Sequence, residues 1–190
     1  LTILYKDQVI GVRDRFGIRP LCLGQEDASF ILASESCALY TMGANFIREI
    51  EPGEVIVLGK NGIEEHFLWI ESPRLAVCIF EYIYLARPDS IIDNKLVYSA
   101  RMNMGKELAK EHPVDADVVI GVPDSGIPAA IGYSLESGIP YFEGLIKNRY
   151  IGRTFIQPNQ KLRDLGATLK YNPLKIFNKK RIVVVEDSIV

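Results

Sequence analysis

Two neighbouring carboxylates, Glu186 and Asp187, follow directly on four β-branched residues, Ile182–Val185. The run has the composition of a β-strand. Acids placed side by side at such a strand end repel each other and normally serve a cation, a pair of sugar hydroxyls or a proton. The competing reading is a solvated strand exit. A second apolar run, residues 118–122, leads into Pro123-Asp124-Ser125-Gly126 and then into a helical pattern. Strand, tight turn and helix N-terminus together offer backbone N–H groups and the positive end of a dipole to an anion. The plainer alternative is that Asp124 or Ser125 caps the helix. Between these two strand ends lies Lys147-Asn148-Arg149-Tyr150-Ile151-Gly152-Arg153-Thr154-Phe155. Three bases, an aromatic and a glycine suit a loop that closes on a phosphorylated ligand. Arginine forks match phosphate oxygens, and lysine supplies a point charge. The three segments together describe a site for a phosphorylated, metal-complexed sugar.

Charge partition supports the same chemistry. Residues 147–181 hold ten bases and one acid, Asp164, giving +9, and the rest of the chain carries −11. A basic block of this kind either attracts phosphates or forms a solvated face. The 190-residue total of −2 is too balanced for a dedicated nucleic-acid binder. No apolar run approaches the roughly 18–20 residues of a membrane span. Cys22, Cys37 and Cys78 are far apart, with no C-x-x-C pair, which argues against a disulfide scaffold and a self-contained zinc site. The chain opens at Leu1 in strand-like sequence, and on that ground it is expected to be a window on something longer.

The elements that must position these residues fall into two patterns. The first seventy residues read as β-rich, with strands over residues 2–5, 9–14, 19–24, 30–34, 54–59 and 63–68 and a short helix over 36–42. Lys60-Asn61-Gly62 is a hairpin signal, Asn-Gly supplying the positive φ angles of a tight turn. After Glu71-Ser72-Pro73 the pattern alternates: helix over 98–112 stopped by Pro113, strand over 118–122, helix over 127–137 closed by Gly138, and strands over 141–146 and 182–185. Apolar strands alternating with helices indicate a parallel sheet, whose ligands gather at the carboxyl ends of the strands. The expected fold is therefore α/β (α+β overall), in two units with a boundary near residue 72.

Three segments carry a family resemblance: CIFEYIYLARPDS over residues 78–90, KNRYIGRTFI over 147–156, and VVVEDSIV over 183–190. They resemble amidophosphoribosyltransferases, and RDRFGIRPL over 13–21 fits the glutamine amidotransferase part of that family. The resemblance implies residues 1–72 as the C-terminal part of a class II glutamine amidotransferase domain of the N-terminal-nucleophile type. Residues 73–190 would be the N-terminal part of a phosphoribosyltransferase domain. The implied reaction takes phosphoribosyl pyrophosphate (PRPP), glutamine and water to 5-phosphoribosylamine, pyrophosphate and glutamate. Glu186, Asp187 and Ser188 then fall on the PRPP loop, with Ser125, Glu186 and Asp187 associated with Mg2+. Lys147, Arg149 and Tyr150 fall on a loop that folds over PRPP. Cys78 matches the first ligand of a [4Fe-4S] cluster in the cluster-containing branch, the other three lying beyond residue 190; a buried inert thiol is the alternative. No catalytic residue is expected within the chain, because the nucleophilic cysteine would precede Leu1. The resemblance further implies purine nucleotides as feedback inhibitors, a homo-oligomer (dimer or tetramer) and a cytoplasmic location, with no membrane or nucleic-acid partner. One departure stands out: Glu186 occupies a position where the family usually has Asp. That departure leaves open a non-catalytic module that binds PRPP or purine nucleotides.

Overall fold

The structure is a computed structural model and describes residues 1–71, 74–150 and 159–188. The chain divides into two compact units, Leu1–Ala100 and Arg101–Val190. The division falls inside a helix, beyond the compositional break at residue 72. Ser72 and Pro73 of that break lie outside the described residues.

The first unit is built on antiparallel pairing. Strands β1 (Thr2–Tyr5), β2 (Gln8–Val12), β6 (Glu54–Gly59) and β7 (Gly62–Leu68) form one sheet in the order β1-β2-β6-β7. Strands β3 (Cys22–Glu26), β4 (Ser29–Ala33) and β5 (Asn45–Glu49) form a second, ordered β4-β3-β5, with the short helix α1 (Ser36–Thr41) between β4 and β5. Strand β6 alternates buried and half-buried residues along its length, as a strand with one face on the core must. Ile56 and Leu58 from it meet Leu21, Leu23 and Ile50 in a core flanked by Phe30 and Leu32. The β6–β7 turn differs from the Asn-Gly expectation. Gly59 pairs with Gly62, so Lys60 and Asn61 are the central residues and Gly62 alone takes the positive φ, 111°.

Arg13 is the polar anchor of this unit. Its guanidinium is buried and donates to the Ile50 carbonyl at 2.6 Å, the Glu49 carboxylate at 3.1 Å, the Arg19 carbonyl at 3.3 Å and the Gly17 carbonyl at 3.4 Å. Asp14 folds the same loop by accepting from the Phe16 and Ile18 amides, both at 2.9 Å. The following segment is tied to this unit too. It carries a π-helical turn at Glu81–Leu85 and a small hairpin of β8 (Ile91–Ile92) and β9 (Lys95–Leu96). Glu35 accepts from the Arg87 amide at 2.7 Å and the Ser90 hydroxyl at 2.8 Å, while Glu49 accepts from the Asp93 amide at 2.6 Å. Asp93 and Asn94 turn the hairpin with φ of 48° and 57°, the two positive angles that a two-residue loop requires.

Helix α2 (Val97–Glu111) leads into the second unit. There β10 (Val118–Gly121) and β13 (Ile182–Val185) pair in parallel, with Val119 facing Val183 and Gly121 facing Val185. Helix α3 (Ile127–Ser137) ends at Gly138, whose φ of 74° is the left-handed close that glycine provides. Ala130 and Tyr133 from this helix are buried with Val119, Val185 and Ala109. The strand expected over residues 141–146 is instead divided. Tyr141 makes a single parallel bridge to Val119, and β11 (Leu145–Lys147) turns away to pair antiparallel with β12 (Tyr171–Pro173). Helix α4 (Gln160–Lys170) precedes β12. The sequence reading gives no helix there, although Leu162, Leu165 and Leu169 recur at the i, i+3, i+7 spacing of an amphipathic helix.

Candidate functional site

The geometry of the second unit follows from β10 and β13 lying side by side and ending together. The ladder continues one step beyond the strands, where the Val122 amide donates to the Val185 carbonyl at 2.9 Å. The Pro123–Gly126 turn and the Glu186-Asp187 pair therefore leave the sheet at the same edge and level. The peptide bond between Pro123 and Asp124 is cis. The Gly126 amide donates back to the Val122 carbonyl at 3.1 Å, so the turn passes directly into α3.

Lys147 approaches this edge from β11. Its ammonium pairs with the Asp124 carboxylate, whose residue is exposed. Lys147 thus belongs to a strand rather than to a loop, and the loop begins after it. Asn148 accepts from the Tyr150 amide at 3.0 Å, a turn closed by the side chain, while its own amide donates to the Lys170 carbonyl at 2.7 Å. Tyr150 stands 98% exposed, so among the described residues its ring packs against almost nothing. Ile151 to Phe155, with Arg153, lie outside the described residues.

A cavity of about 590 Å³ opens here, and its lining includes Gly121, Pro123, Asp124, Lys147 and Arg149. Two of the expected phosphate-binding bases are therefore brought together with two carboxylates, Asp124 and Glu143, over the end of β10. The described lining does not include Ser125, Tyr150, Glu186, Asp187 or Ser188. The acidic pair stands instead at the end of the adjoining strand. There Glu186 accepts from the Asp187 amide at 3.0 Å, and Ser188 donates its hydroxyl to Asp187 at 2.9 Å. Desolvation raises the Glu186 carboxyl above the usual carboxylate range, and the Asp187 charge adds to the rise. Ile189 and Val190 lie outside the described residues.

One site residue escaped sequence reasoning. Tyr171 on β12 faces Lys147 directly across the ladder, and its hydroxyl donates to the Pro123 carbonyl at 3.3 Å. Burial pushes its phenol up, against the pull of Lys147, and Glu186, Asp124 and Asp187 push the same way as burial. Its sequence neighbours, Lys170 and Asn172, give no signal of this role, because it depends on a pairing formed across 24 residues.

The donors suit a hard divalent cation: two adjacent carboxylates and a hydroxyl, all oxygen. Among the described residues no group of three or more His, Cys, Asp or Glu side chains could hold a metal ion by itself. Cys78 lies half-buried in the first unit, its amide donating to the Ile18 carbonyl at 2.9 Å. Cys22 and Cys37 are buried, so among the described residues neither offers a cluster at Cys78 an accessible second thiol.

No protein-family model matches the chain. It is nevertheless similar over its whole length to amidophosphoribosyltransferases. The Archaeoglobus fulgidus protein is 56% identical over 191 residues, an alignment covering all of this chain and 42% of that protein. The Synechocystis protein is 54% identical over 194 residues, covering all of this chain and 39% of its relative. The solved structure of glutamine PRPP amidotransferase from B. subtilis, complexed with ADP and GMP, superposes with a TM-score of 0.89 at 47% identity; it covers 100% of this chain and 42% of that one. The chain thus matches a segment of these enzymes, spanning about two-fifths of their length, and its mixed α/β topology is that of part of the solved structure.

Proposed function

We propose that the protein carrying this chain is a glutamine-dependent amidophosphoribosyltransferase. It would release ammonia from glutamine and use it to displace pyrophosphate from PRPP, giving 5-phosphoribosylamine. Residues 1–72 would close the glutamine amidotransferase domain, and residues 73–190 would open the phosphoribosyltransferase domain. The observation that carries the reading is the cavity in which Lys147 and Arg149 converge beside the shared carboxyl edge of β10 and β13.

The chemistry follows from the donors. A sugar leaving its pyrophosphate builds negative charge on the departing oxygens, and fixed cations that meet this charge stabilise the transition state. Lys147 and Arg149 would do so, with Tyr150 covering the ligand. Glu186, Asp187 and Ser188 would hold the ribose hydroxyls, and Ser125, Glu186 and Asp187 would offer oxygen ligands to Mg2+, which supplies further charge neutralisation when bound. Orientation dominates such a transfer, since no protein nucleophile is needed at the sugar carbon. Cys78 would be one ligand of a [4Fe-4S] cluster, the other three lying beyond residue 190. Purine nucleotides as feedback inhibitors, a homo-oligomeric state and a cytoplasmic location complete the proposal. The B. subtilis relative with its ADP and GMP supports the nucleotide part.

The test is pyrophosphate release from PRPP by the intact protein, with glutamine or ammonia as nitrogen donor. Release that requires both a nitrogen donor and Mg2+ is the expected result. An intact, folded protein that binds PRPP or purine nucleotides without turnover would overturn it.

A further inference from the structure

We infer that Tyr171 is a positioning residue for the polyphosphate-binding lysine, Lys147; this inference rests on the proposed reading of the cavity. Lys147 and Tyr171 are directly opposed on β11 and β12, so their side chains rise from the same face of that ladder. They grip consecutive residues of one turn. Lys147 pairs with the Asp124 carboxylate, and the Tyr171 hydroxyl donates to the Pro123 carbonyl at 3.3 Å. A cross-strand pair thus fastens the turn at the end of β10 by one ionic contact and one neutral contact.

The two contacts respond differently to a ligand. A polyphosphate competes directly for the Lys147 ammonium, because both it and Asp124 are anions. Binding therefore exchanges Asp124 for phosphate oxygens on the same lysine. The phenol–carbonyl contact carries no charge and is untouched by that exchange. A tyrosine phenol is neutral around pH 7, so Tyr171 goes on holding Pro123 while Lys147 changes partner. The turn then stays in register with β11, and Lys147 meets the ligand without a search.

The experiment measures binding of inorganic pyrophosphate with Mg2+ to the intact protein by calorimetry. Wild type is compared with Tyr171→Phe, Asp124→Asn and the double variant. Tyr171→Phe keeps the ring and removes only the donor. It should weaken binding about two- to tenfold, the range of one net hydrogen bond, and raise KM for PRPP with kcat nearly unchanged. In the Asp124→Asn background, where the ionic half of the grip is gone, the same change should have a clearly smaller effect, because two groups acting through one turn are not additive. A merely structural tyrosine would give the same factor in both backgrounds, and that result overturns the inference. So does unchanged affinity in Tyr171→Phe, with the cavity reading left standing. Wild type that binds no pyrophosphate removes the cavity reading and the inference with it.

Discussion

Gly126 and Val185 approach so closely that a methyl group added at Gly126 would lie 2.7 Å from the Val185 carbonyl oxygen. The neighbouring atoms on its other side, the Val122 oxygen and nitrogen at 3.0 and 3.1 Å, are also backbone, so no flexible side chain can yield. The start of α3 is therefore pressed against the end of β13, and the turn that carries Asp124 and Ser125 has its place fixed by that contact.

Gly126→Ala should destabilise the second unit by about 1–3 kcal/mol, the usual cost of overpacking a rigid contact. Urea denaturation followed by circular dichroism would measure it. A variant as stable as wild type would mean that the turn can move away from β13 without cost.

Lys147→Met should leave stability nearly unchanged, because the ion pair it breaks has an exposed partner and such pairs contribute about 0–1 kcal/mol. Its effect belongs to the ligand. Affinity for Mg2+-pyrophosphate should fall about tenfold or more, the loss expected of a charge-assisted contact to phosphate. Equal affinity in the two proteins would remove Lys147 from the binding site.

Glu54 provides a test in the first unit. Its buried carboxylate accepts from Arg48 at 2.6 and 2.8 Å and from the Glu51 amide at 2.7 Å. Burial opposes its ionisation, yet the guanidinium and the amide outweigh burial and hold it below the usual carboxylate range. A depressed acid stabilises the fold above its unfolded value, and that contribution is lost as pH falls through the folded value. Glu54→Gln should cost about 2–4 kcal/mol at neutral pH, toward the lower end of buried-pair losses because Arg48 is partly exposed. The variant should also show a shallower loss of stability on acidification. Parallel acid limbs in variant and wild type would contradict the assignment.

The thiols should separate by reactivity. Cys22 is buried and its thiol is pushed up to about 12 by desolvation, while burial also raises Cys37. The thiolate is the nucleophile, so in the native protein free of iron a thiol reagent should label Cys78 rapidly and the other two only on unfolding. Peptide mapping after a short pulse of label would decide it. Prompt labelling of Cys22 would show that the β3 core opens readily.

The parts of this fold readable from sequence were those set by local patterns. Ile182–Val185 announces itself by four β-branched residues, and Ile127–Ser137 by an apolar run with glycine at its close. The strand Asn45–Glu49 was missed because polar residues interrupt its pattern, two of them serving other partners: Arg48 pairs with Glu54 and Glu49 with Arg13. The acidic pair and the basic residues were visible by type. What brings them together was not. Tyr171 meets Lys147 through a register between distant strands, and Lys147 lines the cavity only because β11 turns away to pair with β12. The proximity of β10 and β13 was foreseeable in kind, since parallel strands collect ligands at one edge.

Glu186 yields the sharpest dependence on pH. Its carboxyl is raised, first by desolvation at the strand end and then by Asp187 beside it. An acid raised by folding holds its proton more tightly in the folded chain than in the unfolded one. Its effect on stability therefore has the opposite sign to that of Glu54: stability falls as pH climbs from the ordinary carboxylate value to the raised one, and is level above it. Cation binding runs the other way across the same window, because only the ionised carboxylate is a ligand. Titrating Mg2+ in the presence of pyrophosphate from acid to neutral pH should show affinity still rising above the ordinary carboxylate value. Glu186→Gln should reduce that rise to the part that the ionisation of pyrophosphate itself supplies, and lower affinity throughout. Glu186→Asp should restore binding to within a few-fold, since oxygen coordination tolerates the shorter arm. A pH profile unchanged in Glu186→Gln would leave the raised carboxyl of Glu186 without a part in metal binding.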